Sequence, residues 1–305
     1  MKTARNVSGL WVATLTPMQP DLSVDTARLA AHCRFLFERG CDGVAIFGTT
    51  GEWPSFSAAE RLVAMEALLK AGIPARRMVL GTGAAALTDA AEMNRAATAA
   101  GLAGVLMLPP FYFKNLDGEA IRRSFAEAIE RTRDPRLKLY LYNIPSVSAV
   151  KLDYATIGRL ARDFPGVVAG VKDSSADWSY TKPLLERFAS LDILVGAEHH
   201  LPQAMAAGAA GTICAIPNLA PRLVRALVDA PSTAAAEADR GTVETLIGHL
   251  EKHPFVSAVR AVVAAQKGDE AWLASRPPHY ALAPDAARQL RARVATLVSE
   301  PAVPA

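Results

Sequence analysis

Lys172 closes the apolar run Val167-Val168-Ala169-Gly170-Val171, and it is the first residue in this sequence with the makings of a nucleophile. An ammonium is costly to bury, so such a setting drives an amine down from its usual pKa of ~10.4 toward the neutral form that attacks carbonyls. Gly170 shares the face of Lys172 at the period-2 spacing of a strand and leaves room beside it, while Asp173 points to the other face and need not neutralise it. A lysine at a strand end is more often exposed or ion-paired, so Lys172 gains meaning only from its company.

Two further motifs supply that company. In Gly48-Thr49-Thr50-Gly51-Glu52 two glycines bracket two hydroxyl residues. Positive φ at the glycines would let the chain turn tightly and aim successive N–H groups at an anion, for which a substrate carboxylate is well suited. A bare Gly-Thr-Thr-Gly is equally compatible with a plain strand-to-helix turn. In Tyr140-Leu141-Tyr142-Asn143-Ile144-Pro145, alternation puts Tyr140 and Tyr142 on one face and Leu139, Leu141 and Asn143 on the other. Buried phenols need hydrogen-bond partners, which makes Tyr142 a candidate proton carrier; ordinary aromatic packing is the better account of Tyr140.

The elements that must position these motifs follow from hydrophobic periodicity. Short apolar runs at 10–15, 43–47, 78–81, 104–108, 137–142, 167–171, 193–195 and 211–214 read as about eight strands. Helical segments lie between them, for example 57–70, opened by a capping box of Ser57 and Glu60, and 88–100, opened by Thr88. Nearly continuous apolar strands alternating with helices imply a parallel sheet covered on both faces, and eight such units suit a (β/α)8 TIM barrel better than an open sheet. Residues 1–230 form the expected catalytic barrel, and 231–305 read as a C-terminal helical region with helices at 232–252, 255–267 and 284–299. Reacting groups of such barrels lie at the C-terminal ends of the strands, which is where all three motifs fall.

Composition narrows the partners. The 33 basic and 30 acidic residues are scattered through the 305-residue chain, giving a net charge of +3 without the basic stripe of a nucleic-acid binder. No run approaches the ~18 apolar residues of a membrane span, and residues 1–17 lack the form of a signal peptide. Cys33, Cys41 and Cys214 have no paired spacing, as expected of buried thiols in a reducing, cytoplasmic setting. Three decoys carry little. Gly81-Thr82-Gly83 lacks the third glycine of a dinucleotide fingerprint. His249 and His253 stand at helical spacing, but Pro254 ends that helix and no third metal ligand is in sight; His199 and His200 would point apart on a helix. No metal site is expected.

Taken together and in this order, Gly48-Thr49-Thr50-Gly51-Glu52, Tyr142-Asn143-Ile144-Pro145 and Gly170-Val171-Lys172-Asp173 resemble the dihydrodipicolinate synthase/N-acetylneuraminate lyase superfamily. The similarity runs from Ala13-Thr14-Leu15-Thr16-Pro17 to the C-terminal helices. It implies a barrel, a homotetramer built as a dimer of dimers, and class I chemistry through a covalent imine, with no cofactor. By the same resemblance Lys172 is the imine-forming lysine and Tyr142 the catalytic tyrosine. Thr49, Thr50 and Gly48 form the carboxylate turn, with Thr50 also relaying protons, and Ile213 joins the substrate contacts. Tyr112, in Pro110-Phe111-Tyr112-Phe113, matches a tyrosine lent by a neighbouring subunit.

One departure bears on the substrate. Dihydrodipicolinate synthases carry an arginine two residues after the proline of the tyrosine motif, and this chain has Val147 there. An apolar side chain cannot form the bidentate pair with a distal carboxylate, although Lys114 or Lys151 is near enough in sequence to compensate. Gly196-Ala197-Glu198-His199 resembles the stretch with which sialic acid lyases hold sugar hydroxyls, so Glu198 and His199 are candidate substrate contacts, with helix capping the other role open to Glu198. Trp53 adds bulk near the mouth. The expected activity is a lyase joining or releasing pyruvate and an aldehyde on a hydroxylated 2-keto acid, such as a 2-keto-3-deoxy sugar acid. A dehydratase of such acids and dihydrodipicolinate synthase proper are the alternatives. A keto-acid sensor without turnover would be marked by loss of the lysine or tyrosine, and both are present.

Overall fold

The apolar runs pair in parallel and close on themselves. In the computed structural model, which describes residues 5–298, the first half of the barrel comprises β1 (Gly9–Ala13), α1 (Thr26–Glu38), β2 (Gly43–Ile46), α2 (Ala58–Lys70), β3 (Met78–Gly81), α3 (Leu87–Ala99), β4 (Gly104–Met107) and α4 (Gly118–Thr132). The second half comprises β5 (Leu139–Asn143), α5 (Pro145–Ser148), α6 (Tyr154–Asp163), β6 (Val168–Asp173), α7 (Trp178–Arg187), β7 (Asp192–Val195), α8 (Leu201–Ala206), β8 (Gly211–Cys214) and α9 (Pro221–Asp229). Neighbours pair in chain order and β8 returns to β1, a closed (β/α)8 barrel. Beyond it lie α10 (Ala234–Leu250), α11 (Phe255–Lys267) and α12 (Pro284–Ala295). None of these helices, among the described residues, is long and apolar enough to cross a membrane.

Local signals explain most element ends. Ser57 and Glu60 form the reciprocal capping box at the start of α2, and Thr233 caps α10 by accepting the N–H of Ala236. Thr88, by contrast, is not a cap: α3 begins one residue earlier, after Ala86, and no side chain caps it. The predicted 232–252 and 284–299 helices are shorter at both ends and at the C-terminal end respectively; Ser299 lies outside the described residues. The sixth strand is longer than its apolar run, because the ladder continues through Lys172 and Asp173. All three cysteines are buried and free.

The inward side chains divide the barrel into two levels. At the N-terminal end, Tyr140 is fully buried, and its hydroxyl donates to Asp192 at 2.9 Å. Asp192 also accepts the N–H groups of Asn6 and Val7. Glycine is required on either side of that ring, since a Cβ at Gly104 or Gly170 would lie 2.7 or 2.8 Å from it. Tyr140 is therefore a plug beneath the site, as aromatic packing would have it.

At the opposite end, Asn218 ties the barrel's seam to α1. Its amide donates to the carbonyls of Ala13 and Ala215, so its oxygen must accept, from the N–H of Leu15 and from His32 Nε2 at 3.0 Å. That arrangement makes His32 the Nε2–H tautomer and leaves Nδ1 buried without a partner. A second proton would have nowhere to bond, and burial, helped by the nearby Lys267 charge, lowers the His32 pKa from 6.5 to about 3. The neutral form is favoured only in the folded chain, so stability is full above pH 6.5 and falls as the unfolded state takes up a proton between pH 6.5 and about 3. The slope is ~1.4 kcal/mol per pH unit. Urea titrations of wild type and His32→Gln at pH 7, 6 and 5 should show the variant less stable at pH 7 but losing stability more slowly with acid, by about one proton's worth.

Candidate active site

The register of two strands brings the candidate nucleophile Lys172 and the phenol of Tyr142 together. Tyr142 of β5 pairs directly with Lys172 of β6, and the lysine Nζ lies 4.2 Å from the centroid of the tyrosine ring. Both side chains are 3% exposed. Asp173 turns outward, where its carboxylate accepts from Asn143 at 2.8 Å, from Thr181 of α7 at 2.6 Å and from the Ser175 N–H. Those donors hold the end of β6 in place and leave Lys172 without a carboxylate within ion-pair distance, among the described residues.

The turn after β2 approaches from the other side. Thr49 Oγ1 lies 3.2 Å from the Tyr142 hydroxyl, and the N–H groups of Thr49 and Thr50 donate to no acceptor among the described residues. The hydroxyl that meets Tyr142 is thus that of Thr49, and Thr50, expected as the relay, is buried with no such contact among the described residues. The turn also differs in how it is made. Positive φ falls not at its glycines but at Phe47 and Glu52, at 53° and 57°. Gly51 is needed for close approach, because a Cβ there would sit 2.9 Å from the Thr14 carbonyl oxygen, and Thr16 Oγ1 donates to the Gly51 carbonyl at 2.8 Å.

Left-handed backbone is unfavourable for glutamate and persists only where surroundings hold it. Here Arg260 of α11 does so. Its guanidinium pairs with the Glu52 carboxylate, with Nε to Oε1 at 2.8 Å, and donates to the carbonyls of Thr16 at 2.7 Å and Trp272 at 3.1 Å. Both charged groups are almost completely buried, at 1% exposure or less. Removing one partner of such a pair costs about 3–5 kcal/mol.

A cavity of roughly 360 Å³ opens over the ends of β5, β6 and β7. Ser146, Ser174 and His199 line it from the barrel loops, and Glu244 and Glu251 from the α10 side. Ser174 stands two residues beyond Lys172 on the same strand path. Glu198 reaches the cavity wall, but its Oε1 accepts the N–H groups of Ala215 and Ile216 at 2.9 and 3.0 Å, so it first of all splints the loops after β7 and β8. Burial pushes its carboxyl pKa up. His199 and His200 do not point apart: the turn Glu198–His200 is a 3-10 helix, and their rings lie 4.1 Å apart.

Other predicted residues stand farther from this centre. Val147, in α5, is 62% exposed. Lys114 donates to the carbonyls of Phe111 and Ser148, and Lys151 pairs with Asp177 at 3.5 Å, so neither replaces the missing arginine. Ile213 is fully buried in β8. Tyr112 projects outward, 76% exposed and edge-on to Phe113, and makes no hydrogen bond to Tyr142 within the chain.

The model of the dihydrodipicolinate synthetase family matches residues 6–297 of this chain. The chain belongs to that family. A DapA-like lyase of Chloroflexus aurantiacus is 36% identical over 255 residues, 82% of this chain and 85% of that protein. Dihydrodipicolinate synthase from Agrobacterium tumefaciens superposes with a TM-score of 0.91 at 34% identity, over 96% of this chain and all of that one. The dihydrodipicolinate synthase of Acinetobacter baumannii, solved with pyruvate, gives 0.86 at 25% identity over 95% and 99%.

Within the dihydrodipicolinate synthetase family frame, the residues that motif reasoning passed over are those acting at a distance in sequence. Arg260 lies 208 positions from Glu52, and Ser146, Ser174 and Glu244 meet only across the barrel mouth. A charged residue in the otherwise apolar stretch Phe255-Val256-Ser257-Ala258-Val259-Arg260-Ala261-Val262 was the available signal for Arg260. The contact between Tyr142 and Thr49 yields a direct test. Tyr142→Phe keeps the ring beside Lys172 and removes the hydroxyl, so kcat should fall ~10²–10⁴-fold with KM little changed. Steady-state kinetics check this; a loss confined to KM would assign Tyr142 to binding.

Proposed function

We propose that this chain is a class I lyase that cleaves or forms the C3–C4 bond of a hydroxylated 2-keto acid, with pyruvate and an aldehyde as its partners. The observation that carries the chemistry is the buried Lys172 amine against the Tyr142 ring, with the Tyr142 hydroxyl 3.2 Å from Thr49. The substrate carboxylate docks on the free N–H groups of Thr49 and Thr50, which orients C2 toward Lys172. The neutral amine adds to C2, Tyr142 gives its proton to the departing hydroxyl, and water leaves a protonated imine. The Tyr142 phenolate then takes the proton of the C4 hydroxyl. As the C3–C4 bond breaks, its electron pair moves into the imine to form an enamine, and the aldehyde departs. Protonation at C3 and hydrolysis release pyruvate and Lys172. The imine is the electron sink, so no metal or organic cofactor is invoked.

The cavity beside the site supports the choice of acceptor. Hydroxyls of Ser146 and Ser174 and the ring of His199 can bond a polyhydroxylated chain, whereas Glu251 disfavours a second carboxylate; Glu244 is paired with Arg240. Val147 brings no compensating cation. A 2-keto-3-deoxy sugar acid has the required pattern of one carboxylate and several neutral hydroxyls. Exposed Tyr112 and Phe113 favour contact with a second copy, and in a homotetramer Tyr112 would extend the Tyr142–Thr49 relay of its neighbour. The names of the solved relatives favour a second reading, dihydrodipicolinate synthase itself.

One measurement tests the imine chemistry that both readings share, and a second separates them. Borohydride in the presence of pyruvate should inactivate the protein and add one pyruvyl-derived mass at Lys172, before and after exhaustive chelation of divalent ions; a label on another lysine, or none, sinks the mechanism. In a pyruvate-detection screen of 2-keto-3-deoxy acids, at least one should be cleaved, while condensation of pyruvate with aspartate semialdehyde should stay well below a kcat/KM of ~10⁴ M⁻¹s⁻¹. Val147→Arg should raise that condensation by about tenfold, since a charge-assisted hydrogen bond contributes ~1.5–3 kcal/mol. Efficient condensation by the wild type would favour the synthase.

A further inference from the structure

Arg61 of α2 is 3% exposed, yet among the described residues no carboxylate lies within 4 Å of it. Its Nη1 donates to the carbonyls of Gly81 at 3.1 Å and Gly83 at 2.9 Å, its Nε is buried without a partner, and its guanidinium carbon lies 5.5 Å from the Trp53 ring centroid. Trp53, Gly81 and Gly83 all line one narrow cleft, together with Gly48 of the carboxylate turn and Tyr142. The cation therefore stands directly behind the wall of the cleft in which the turn and the phenol meet.

Asp89 of α3, beyond ion-pair distance, attracts this buried charge, but at direct contact only carbonyl dipoles and an aromatic face hold it, so it is incompletely compensated. Burial lowers its pKa to about 10, which leaves it protonated at neutral pH. Its field passes through low-dielectric protein into the cleft, where screening by water and salt is weak. From this we infer that Arg61 is a positioning residue for the reaction: it supplies, through the Trp53 and Gly81–Gly83 wall, the positive potential that draws the substrate carboxylate onto the N–H groups of Thr49 and Thr50. The carboxylate of the keto acid adds to the partial, longer-range counter-charge that Asp89 gives Arg61, and meets it without direct contact. Selectivity for an acid over its neutral ester at this site then depends on a side chain outside the catalytic motifs.

This inference rests on imine formation at Lys172, and its test uses that step. Half-saturating concentrations for borohydride trapping are measured with pyruvate and with methyl pyruvate, in wild type, Arg61→Gln and Arg61→Lys. In Arg61→Gln the value for pyruvate should rise about tenfold or more, while that for methyl pyruvate changes less than about twofold. Arg61→Lys keeps the charge but not the two-carbonyl fork, and should retain most of the wild-type preference for the acid. Equal weakening of both ligands in Arg61→Gln would make Arg61 a purely structural prop and overturn the inference, as would unchanged trapping of both. Should Arg61→Gln fail to fold, collapse of the acid-over-ester preference in Arg61→Lys would overturn it on its own. Failure of wild type to trap either ligand would instead strike the mechanism on which the inference rests.

Discussion

The pairing of β5 with β6 is the constraint on which the site depends. A one-residue slip in this register would send either Tyr142 or Lys172 to the outer face, because side chains alternate along a strand. The ladder is held at its upper end by the outward-facing Asn143 and Asp173, whose side chains bond each other and α7. At its lower end Tyr140 is clasped between Gly104 and Gly170 and bonded to Asp192. Lys172 and Tyr142 thus sit between two fixed anchors.

Charge is distributed around that pair with some economy. The Tyr142 ring flanks Lys172, and nearby charged side chains are held by other partners: Asp173 by Asn143 and Thr181, Arg61 by two backbone carbonyls beside Trp53, and Glu52 by Arg260. These partners fix the backbone around the pair. Glu198 follows the same logic, since its carboxylate is occupied by the N–H groups of Ala215 and Ile216.

Much of this was legible in the sequence, because the barrel, its eight strands and the Lys172–Tyr142 pair depend on period-2 alternation and on short contiguous motifs. What escaped depends on backbone detail or on distance along the chain. Gly-Thr-Thr-Gly announces a tight turn but not that Phe47 and Glu52 take the left-handed conformation while Gly51 serves close packing. Two adjacent threonines cannot be told apart until the turn is built, so the hydroxyl that meets Tyr142 proved to be Thr49. The apolar run 167–171 understated β6, since hydrophobicity marks burial and a ladder can continue through Lys172 and Asp173 once their side chains find suitable surroundings. His199 and His200 were judged by helical geometry and occupy a 3-10 turn.

The buried pair of Glu52 and Arg260 also says something about how such chains can change over evolutionary time. It welds the turn after β2 to a helix outside the barrel, so the two halves cannot be exchanged between relatives as independent modules. A recombinant that inherits the turn with its Glu52 from one parent and the C-terminal helices from another remains sound only where the parent supplying the helices places an arginine at this spot. Otherwise a lone carboxylate is stranded beneath the Thr49–Thr50 turn. Crossovers between residues 52 and 260 should therefore be tolerated or rejected according to a single inherited side chain, which makes this pair a natural criterion for choosing parents in chimera libraries.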